Sequence, residues 1–471
     1  MAHRRTNARE GLIVPATLAR SGLPPAAVKA WAGACPRLTG HFSRDSAACS
    51  KFWTAGARLR ARLPPRPARG PDQSAAAVFI DRCARDLREA YLARHVARLY
   101  GKLTANRTKF VRAGDLVMAA ARLVPGLTPT AKELAAEAPL MLADKDGVEI
   151  DQGLLLAHVL AEPSCGRHLC HAMLLPLPDW QDRLRRLHKD GALDLGAAAV
   201  MRDGRASVVE MRRPRFLNAM DYEWLAPLEA AVDLAILDTD TEICVLRGGA
   251  VDNPKYRRVF SSGINLTLLY QGKIPFQFYI DHLLGFEHKM FRGLARPDVE
   301  PDDTAGATAE KAWIAAVDRF AIGGGCQHLL VMDYVLAGSD AYMTLPARKE
   351  GIIPGAANMR LPRFVGNAVA RQAIMMGRRL DCDSPEGRMI CDEIAPPERM
   401  DAALSALIDG MTSSGVVSAV SNRRAMRIAQ EPLDTFRRYV ALYAREQAYC
   451  HFSPALVANL ERHWNAMQRK V

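Results

Sequence analysis

Three consecutive glycines, Gly323, Gly324 and Gly325, interrupt an apolar stretch in the C-terminal half of the chain. The apolar run at residues 313–317 has the composition of a buried strand, and an apolar segment of helical length follows the glycines. Glycines between a strand and a helix leave backbone N–H groups unpaired at the positive end of the helix dipole, which suits a negatively charged oxygen. The same residues would also suit a tight turn that only packs helix against strand.

Strand-like and helix-like segments alternate around this turn, which predicts an α/β fold for the C-terminal half. Strands are predicted at residues 207–211 and 242–246, with a long helix at residues 222–237 between them. A second glycine turn, Gly263 followed by Ile264, comes after a strand-like stretch. Two backbone N–H groups that converge on one point form an oxyanion hole, which stabilises charge on a carbonyl oxygen. The spacing does not show whether these two turns converge.

The N-terminal half has apolar residues at helical spacing and predicts helices rather than strands. Four regions are expected: a basic arm rich in Ala, Arg and Pro (1–74), a helical domain (75–195), an α/β core (196–395) and C-terminal helices (396–471).

The net charge of +12 is concentrated in the arm and does not predict a nucleic-acid-binding protein. Residues 1–70 hold 13 Lys or Arg residues against Glu10 and Asp45, so we expect a solvated arm, or one that holds an anionic ligand or a neighbouring subunit. No apolar run reaches the roughly 18–20 residues of a membrane span, and no signal-peptide core follows Arg4 and Arg5. The ten cysteines form no CxxC pairs, so free thiols in a cytoplasmic protein are expected.

One group of residues, Cys165, His168, Cys170 and His171, has the composition of a metal-ligand cluster. On a helix, however, Cys165 and Cys170 point in different directions, and no second cluster completes a tetrahedral shell. We therefore predict no metal site.

Five motifs follow one another in the C-terminal half: Arg213-Pro with Asn218-Ala, Phe-Ser-Ser-Gly-Ile-Asn-Leu at 260–266, Ala-Ile-Gly-Gly-Gly-Cys-Gln at 321–327, Ile353-Pro354-Gly355, and Gly-Arg-Arg-Leu-Asp at 377–381. Together they resemble the crotonase (enoyl-CoA hydratase/isomerase) superfamily. The resemblance implies a crotonase-like spiral of ββα units that binds an acyl-CoA and polarises its thioester carbonyl. It assigns the oxyanion hole to the N–H groups of Ile264 and Gly324, and it places around the substrate Gly263, Gly323, Gly325, Arg213, Pro354 and Gly355. It also implies that the C-terminal helices pack against neighbouring subunits in a homotrimer or a dimer of trimers.

Two positions depart from the hydratase pattern, in which glutamates stand where this chain has Gln327 and Ala347. Water addition needs a carboxylate to activate the water and an acid to protonate carbon, so hydratase activity is not expected. Glu350, three residues after Ala347, could replace the missing glutamate only if the loop were rebuilt, and it is interpreted as a solvated or structural residue.

Residues 149–153 and the tail at residues 431–464 are similar to a branch of the family that oxidises an arylacetyl-CoA with O2. That resemblance implies a dioxygenase with neither metal nor organic cofactor, in which an enolate held by the oxyanion hole reacts with O2 and yields an arylglyoxylate and free CoA. It places Gln327 near the thioester. Candidate lining residues of an apolar pocket are Ile322, Leu329 and Leu361.

Met220 stands where this branch has an acidic residue that holds phenols, and Asp281-His282-Leu283 stands where it has arginines. Met220 and His282 are therefore predicted to contact a different or less hydroxylated acyl group, although a single helical histidine also suits a structural role. A thioesterase, isomerase or decarboxylase of the same fold is an alternative, as is an acyl-CoA-binding scaffold without catalysis. No nucleic-acid or membrane partner is expected.

Overall fold

The computed structural model describes residues 18, 20–306, 308–414 and 416–469, and in this part of the chain eight α-helices precede the first strand. They are α1 (Pro25–Gly33), α2 (Phe42–Arg60), α3 (Pro71–Leu103), α4 (Ala113–Leu123), α5 (Ala131–Glu137), α6 (Ile150–Ala161), α7 (Pro163–Leu174) and α8 (Trp180–Asp190). The helical N-terminal region predicted from the sequence is confirmed.

The expectation of a solvated basic arm is wrong for residues 25–60, because α1 and α2 pack into the helical core. Trp31 and Phe52 are buried and their rings stack at 4.8 Å. Trp53 is also buried, and its indole meets the Tyr91 ring of α3 edge-on at 5.7 Å. Aromatic side chains of this size contribute strongly to the stability of a core when they are buried. Arg4, Arg5 and Glu10 lie outside the described residues.

A seven-stranded sheet forms the α/β core, in the order β1-β2-β3-β4-β7-β9-β12. The strands from β3 onward run parallel, while β1, β2 and β3 pair antiparallel. Its strands are β1 (Ala192–Asp194), β2 (Ala198–Asp203), β3 (Ala206–Met211), β4 (Ile243–Gly248), β7 (Ala312–Val317), β9 (Tyr334–Gly338) and β12 (Glu393–Ala395). The α/β class predicted from the sequence is confirmed.

Two smaller sheets complete the core. One joins β5 (Ala250–Asn253) to β6 (Tyr256–Arg258), and the other has the order β11-β10-β8, with β8 (Phe320–Ile322), β10 (Tyr342–Thr344) and β11 (Leu380–Asp381). Strand β8 runs parallel to β10 and is the outer strand of this sheet. The glycines that follow β8 therefore lie at the edge of the sheet.

A helical segment between β6 and β7 forms one wall of the site described below. It contains α10 (Leu266–Tyr270), α11 (Gln277–Asp281), a π-helical turn (His282–Glu287) and α12 (His288–Arg292), while α9 (Tyr222–Leu237) precedes β4. Glu149, just before α6, accepts a 2.6 Å hydrogen bond from the Phe276 amide and so ties this wall to the N-terminal helices.

The remaining helices are α13 (Gly324–Leu329), α14 (Ala347–Glu350), α15 (Ala357–Met376), α16 (Met400–Thr412), α17 (Val417–Gln430), α18 (Leu433–His451) and α19 (Pro454–Trp464). Helix α18 lies directly against α6: a Cβ atom on Gly153 would be only 2.5 Å from the Cβ of Ala448. A glycine is therefore required where the two helices meet. Helix α16 covers one face of the large sheet with Met400, Leu404 and Ile408.

Within the described residues, no single helix is both long and apolar enough to cross a membrane. The segments Pro397–Thr412 and Val417–Gln430, bent by 92° at their junction, meet the length and composition only when taken together.

Candidate functional site

The two glycine turns lie side by side. Gly263 has φ +84°, and a Cβ atom there would be 2.7 Å from the carbonyl oxygen of Ile322 and 3.5 Å from the Cα of Gly323. The Met220 amide donates to the Gly263 carbonyl at 2.7 Å, and the Met220 carbonyl accepts from Asn265 at 2.8 Å. The structure therefore brings together two turns whose convergence the sequence alone does not show.

The amides of Ile264 and Gly324 are left without a partner in this arrangement. Among the hydrogen bonds of the described residues, none uses either N–H group, whereas the neighbouring amide of Gly323 donates to Thr344 at 2.8 Å. Helix α13 is only six residues long. Any preference for a negative oxygen therefore comes from these two N–H groups rather than from a long helix dipole.

Both amides belong to residues that line a narrow cavity of about 30 Å³, the space open to the centre of a water molecule. Eight residues predicted to be near the substrate line it: Met220, Ile264, His282, Gly323, Gly324, Gln327, Pro354 and Gly355. The remaining lining residues are mainly apolar and aromatic, and they include Phe278, Tyr279, Leu345, Ala347, Ile352 and Tyr443.

Other predicted residues lie outside this lining. Arg213 is bound at 2.6 Å to Asp221, which caps the start of α9. Gly263 belongs to the turn just before Ile264 but does not line the cavity itself. Gly325 packs against Ser261, and a Cβ atom on Gly325 would be 2.9 Å from the serine Cβ. Ile322, Leu329 and Leu361, proposed as pocket residues, do not line the cavity.

The Cys165 to His171 segment lies elsewhere, on α7. The Nδ1 of His168 is 2.7 Å from the Tyr100 hydroxyl, and the Nε2 of His171 is 2.7 Å from the Arg296 carbonyl. Each histidine thus has a polar partner within the protein.

Gln327 reaches across the cavity to the loop after α14. A Cβ atom on Gly355 would be 2.0 Å from its Oε1, so only glycine leaves room for the amide. The main-chain N–H of Gln327 donates to Gly323 at 3.1 Å, which fixes its position one turn into α13.

Glu350 is a lining residue whose role the sequence did not reveal. It is 8% exposed, so of the two interpretations given above, a solvated or a structural residue, the solvated one is wrong. Burial raises the pKa of its carboxyl group from 4.5 to about 7, because the charged form loses its hydration. A carboxyl group with a pKa near neutrality is suited to accept a proton and to return it.

His282 is held as a neutral imidazole. Its Nε2 lies 2.9 Å from the Nε2 of His328, within hydrogen-bond distance. Burial lowers the pKa of His282 to about 3, and the charge of Arg360 adds to this effect. The ring stacks on Phe278 at 5.7 Å, so His282 offers this wall an uncharged aromatic surface.

The π-helical turn brings Glu287 towards the two histidines, and the ligand atoms of His282, His328 and Glu287 lie within 4.8 Å of one another. Arg360, however, donates to Glu287 at 2.9 Å and to Glu431 at 2.9 Å. The Glu287 charge is thus already balanced, and a divalent cation would add uncompensated positive charge to a fully buried place. The arrangement suits a neutral histidine pair better than a metal ion.

The fold and the cavity together define a protein built like an acyl-CoA enzyme of the crotonase type. The sequence profile of the enoyl-CoA hydratase/isomerase family matches residues 203–441, and the chain belongs to this family. A (3,5-dihydroxyphenyl)acetyl-CoA 1,2-dioxygenase of Amycolatopsis orientalis is 43% identical over 389 residues, which is 82% of this chain and 88% of that protein.

More distant relatives match the C-terminal half. A probable enoyl-CoA hydratase of Rhizobium meliloti is 27% identical over 229 residues, 48% of this chain and 80% of that protein. Among solved structures, an enoyl-CoA hydratase from Mycobacterium avium subsp. paratuberculosis aligns with a TM-score of 0.47 at 20% identity, over 57% of this chain and 98% of that one.

Proposed function

We propose that this protein is a dioxygenase of an arylacetyl-CoA thioester, 3,5-dihydroxyphenylacetyl-CoA or a related ester, that works without a metal or an organic cofactor. The match to a dioxygenase at 43% identity covers most of both chains, and it supports the reaction class. The single observation that carries the proposal is one cavity lined by Ile264 and Gly324, whose amides are unbonded, and by the buried carboxyl group of Glu350.

The first step is removal of a proton from the α-carbon of the thioester. Glu350 is the base, since its pKa of about 7 leaves a large fraction ionised at neutral pH and still allows it to hold the proton. The electron pair moves onto the thioester oxygen, where the N–H groups of Ile264 and Gly324 stabilise the enolate. An aryl ring on the α-carbon spreads the same charge further.

The second step joins the enolate to O2. The enolate transfers one electron to O2, and the two radicals combine to form a C–O bond at the α-carbon. The terminal oxygen then attacks the thioester carbonyl, and the C–S bond breaks. The second α-proton then leaves, and its C–H electron pair forms the ketone C=O bond as the O–O bond breaks. One oxygen atom ends in the ketone and the other in the carboxylate, and CoA thiolate takes up a proton. The balance is one arylacetyl-CoA and one O2 to one arylglyoxylic acid and one CoA.

Gln327 and the apolar walls support this second step. The Gln327 side chain lines the cavity with its Oε1 towards Gly355, and its Nε2 would donate to the new oxygen atoms. A cavity of about 30 Å³ has room for a molecule the size of O2 or for one or two waters, because a single water needs roughly 10–15 Å³. Apolar walls favour O2 over water and so limit hydrolysis of the thioester.

The test is O2 uptake by chelator-treated protein with a series of arylacetyl-CoA esters. We expect equal consumption of O2 and release of CoA, and both atoms of ¹⁸O2 in the arylglyoxylate by mass spectrometry. Glu350→Gln should abolish the uptake, whereas Glu398→Gln, at an exposed position, should not change it. If none of the esters causes O2 uptake, the proposal is wrong.

A hydrolytic or isomerising enzyme is the second candidate, because Glu350 beside two free amides would also serve to activate water or move a proton. Such an enzyme would release CoA or shift a double bond equally well without oxygen. CoA-ester binding without turnover, unchanged in Gln327→Ala, would instead indicate a scaffold.

A further inference from the structure

One end of the cavity, beside Gly324, is formed by side chains that carry no charge. A Cβ atom on Gly324 would be 1.8 Å from the Cε of Met220 and 4.0 Å from the Nε2 of His282. Met220, Phe278 and His282 are all at least nine-tenths buried and all line the cavity. In the proposed reaction, a group bonded to the α-carbon next to the oxyanion hole lies against this end.

The ring nitrogen of His282 that lies nearest Gly324 already has a hydrogen-bond partner. That nitrogen, Nε2, is within hydrogen-bond distance of His328, and the His282 ring is stacked on Phe278 and tilted against Phe286 at 5.8 Å. Behind it, the His328 ring meets the Phe286 ring edge-on at 4.9 Å and stacks on the Trp224 ring at 6.2 Å. The Nε2 atoms of the two histidines are therefore turned towards each other, while the unpartnered Nδ1 of His328 and Nε1 of Trp224 belong to residues that do not line the cavity.

Charged side chains near this end are engaged elsewhere. Asp281 accepts from Gln277 at 2.9 Å, and Glu287 is bound by Arg360. Among the described residues that line the cavity, Glu350 is the only acidic one, and no lysine or arginine lines it. Glu350 is committed to the α-proton in the proposed mechanism, so no further anion or cation is available for the acyl group.

We propose that this end selects an arylacetyl-CoA whose ring carries hydrogen or apolar substituents rather than hydroxyl groups. The inference rests on the proposed function and narrows its substrate class. A ring hydroxyl buried against a thioether and stacked rings loses its hydrogen bonds to water without replacement. Discrimination of roughly 10- to 100-fold is what an apolar pocket achieves against an added hydroxyl.

Met220 is the residue that adapts this end to the ring. Its unbranched side chain has three rotatable bonds and a polarisable sulfur that packs well on aromatic edges. The cavity of about 30 Å³ is smaller than a phenyl ring, so the ring enters as the Met220 side chain moves aside.

The test compares three esters that differ at two ring positions: phenylacetyl-CoA, 3,5-dimethylphenylacetyl-CoA and 3,5-dihydroxyphenylacetyl-CoA. Methyl and hydroxyl groups are similar in size, so the second and third esters separate polarity from shape. We expect Kd without oxygen, and kcat/KM where turnover occurs, to favour the phenyl and dimethyl esters by roughly 10- to 100-fold over the dihydroxy ester. Met220→Gln should reduce that preference at least tenfold, whereas Met220→Leu should retain it.

Tighter binding of the dihydroxy ester by the natural protein would overturn the inference, and so would the absence of binding by all three esters. Preferential binding of the apolar esters without O2 uptake would contradict the proposed function and leave this specificity in place. If Met220→Gln does not fold, the three esters on the natural protein decide the question alone.

Discussion

The natural protein should lose folding stability as the pH rises from 4.5 to about 7, and replacing Glu350 with glutamine should remove this loss. The same substitution should abolish the proposed activity. Below pH 4.5 the carboxyl group is neutral in both the folded and the unfolded chain, so it adds no pH-dependent penalty. As the pH rises from 4.5 to about 7, the unfolded chain ionises first and folding stability falls. Above pH 7 the loss is complete and constant.

The size of this loss follows from the raised pKa. The difference between 4.5 and about 7, at about 1.4 kcal/mol for each pKa unit, corresponds to about 3 kcal/mol. Glutamine has the same shape and no charge, so its variant lacks this pH-dependent loss. A fixed cost of its amide in the pocket would appear at every pH and would cancel in the comparison.

The assay is urea unfolding of the natural protein and of Glu350→Gln at pH 4.5 and pH 8.5. Between these pH values the natural protein should lose about 3 kcal/mol more stability than the variant. Glu398→Gln, on the exposed surface, serves as the control and should follow the natural protein. Equal pH dependence in the natural protein and Glu350→Gln would refute the claim that burial raises the pKa of this carboxyl group.

Three further outcomes are expected. Turnover should rise with pH through an apparent pKa near 7, because the proposed base must be ionised to take the α-proton; a flat profile between pH 5.5 and 8.5 would exclude Glu350. Gly263→Ala should cost more than the roughly 1–2 kcal/mol of a positive φ, since its Cβ would also meet a carbonyl at 2.7 Å, whereas Gly377→Ala has the φ cost alone; urea midpoints compare the two. Lys289→Met should destabilise the fold by roughly 3–5 kcal/mol, because it leaves the buried Asp233, 2.7 Å away, without a charged partner, while Glu229 keeps Arg112. Arg296→Met breaks an exposed pair and should cost less than about 1 kcal/mol in the same unfolding assay.

Local patterns predicted the core elements well. The helix expected at residues 222–237 is confirmed as Tyr222–Leu237, where Asp221 caps the first turn. The strands expected at residues 207–211 and 313–317 are confirmed within β3 and β7. In each case hydrophobic periodicity and the terminating residues lie within the element itself, so neighbouring sequence was sufficient.

Features that depend on distant residues could not be predicted in this way. The strand-like stretch before Gly263 forms only an isolated bridge between Ser261 and Ala321, because its pairing depends on the position of β8. Glu350 looks like an ordinary polar residue in sequence, and the cavity that it lines also needs Tyr279 and Tyr443, which come from other parts of the chain. Residues 25–60 are rich in arginine, so the sequence did not indicate that their apolar side chains form a buried face. That face packs against α3.

The contact between α6 and α18 has a consequence for the order in which the molecule is assembled during synthesis. Gly153 and Ala448 meet across nearly three hundred residues, and α18 also supplies Tyr443 to the cavity. A ribosome must therefore translate almost to the end of α18 before α6 can bury the apolar face that α18 covers, although its other face already packs against α3 and α7. Until then, the emerging chain exposes that surface to chaperones and to other chains. The cavity that would meet the thioester is thus finished last, and a premature stop before α18 should give an insoluble product rather than a weakly active enzyme.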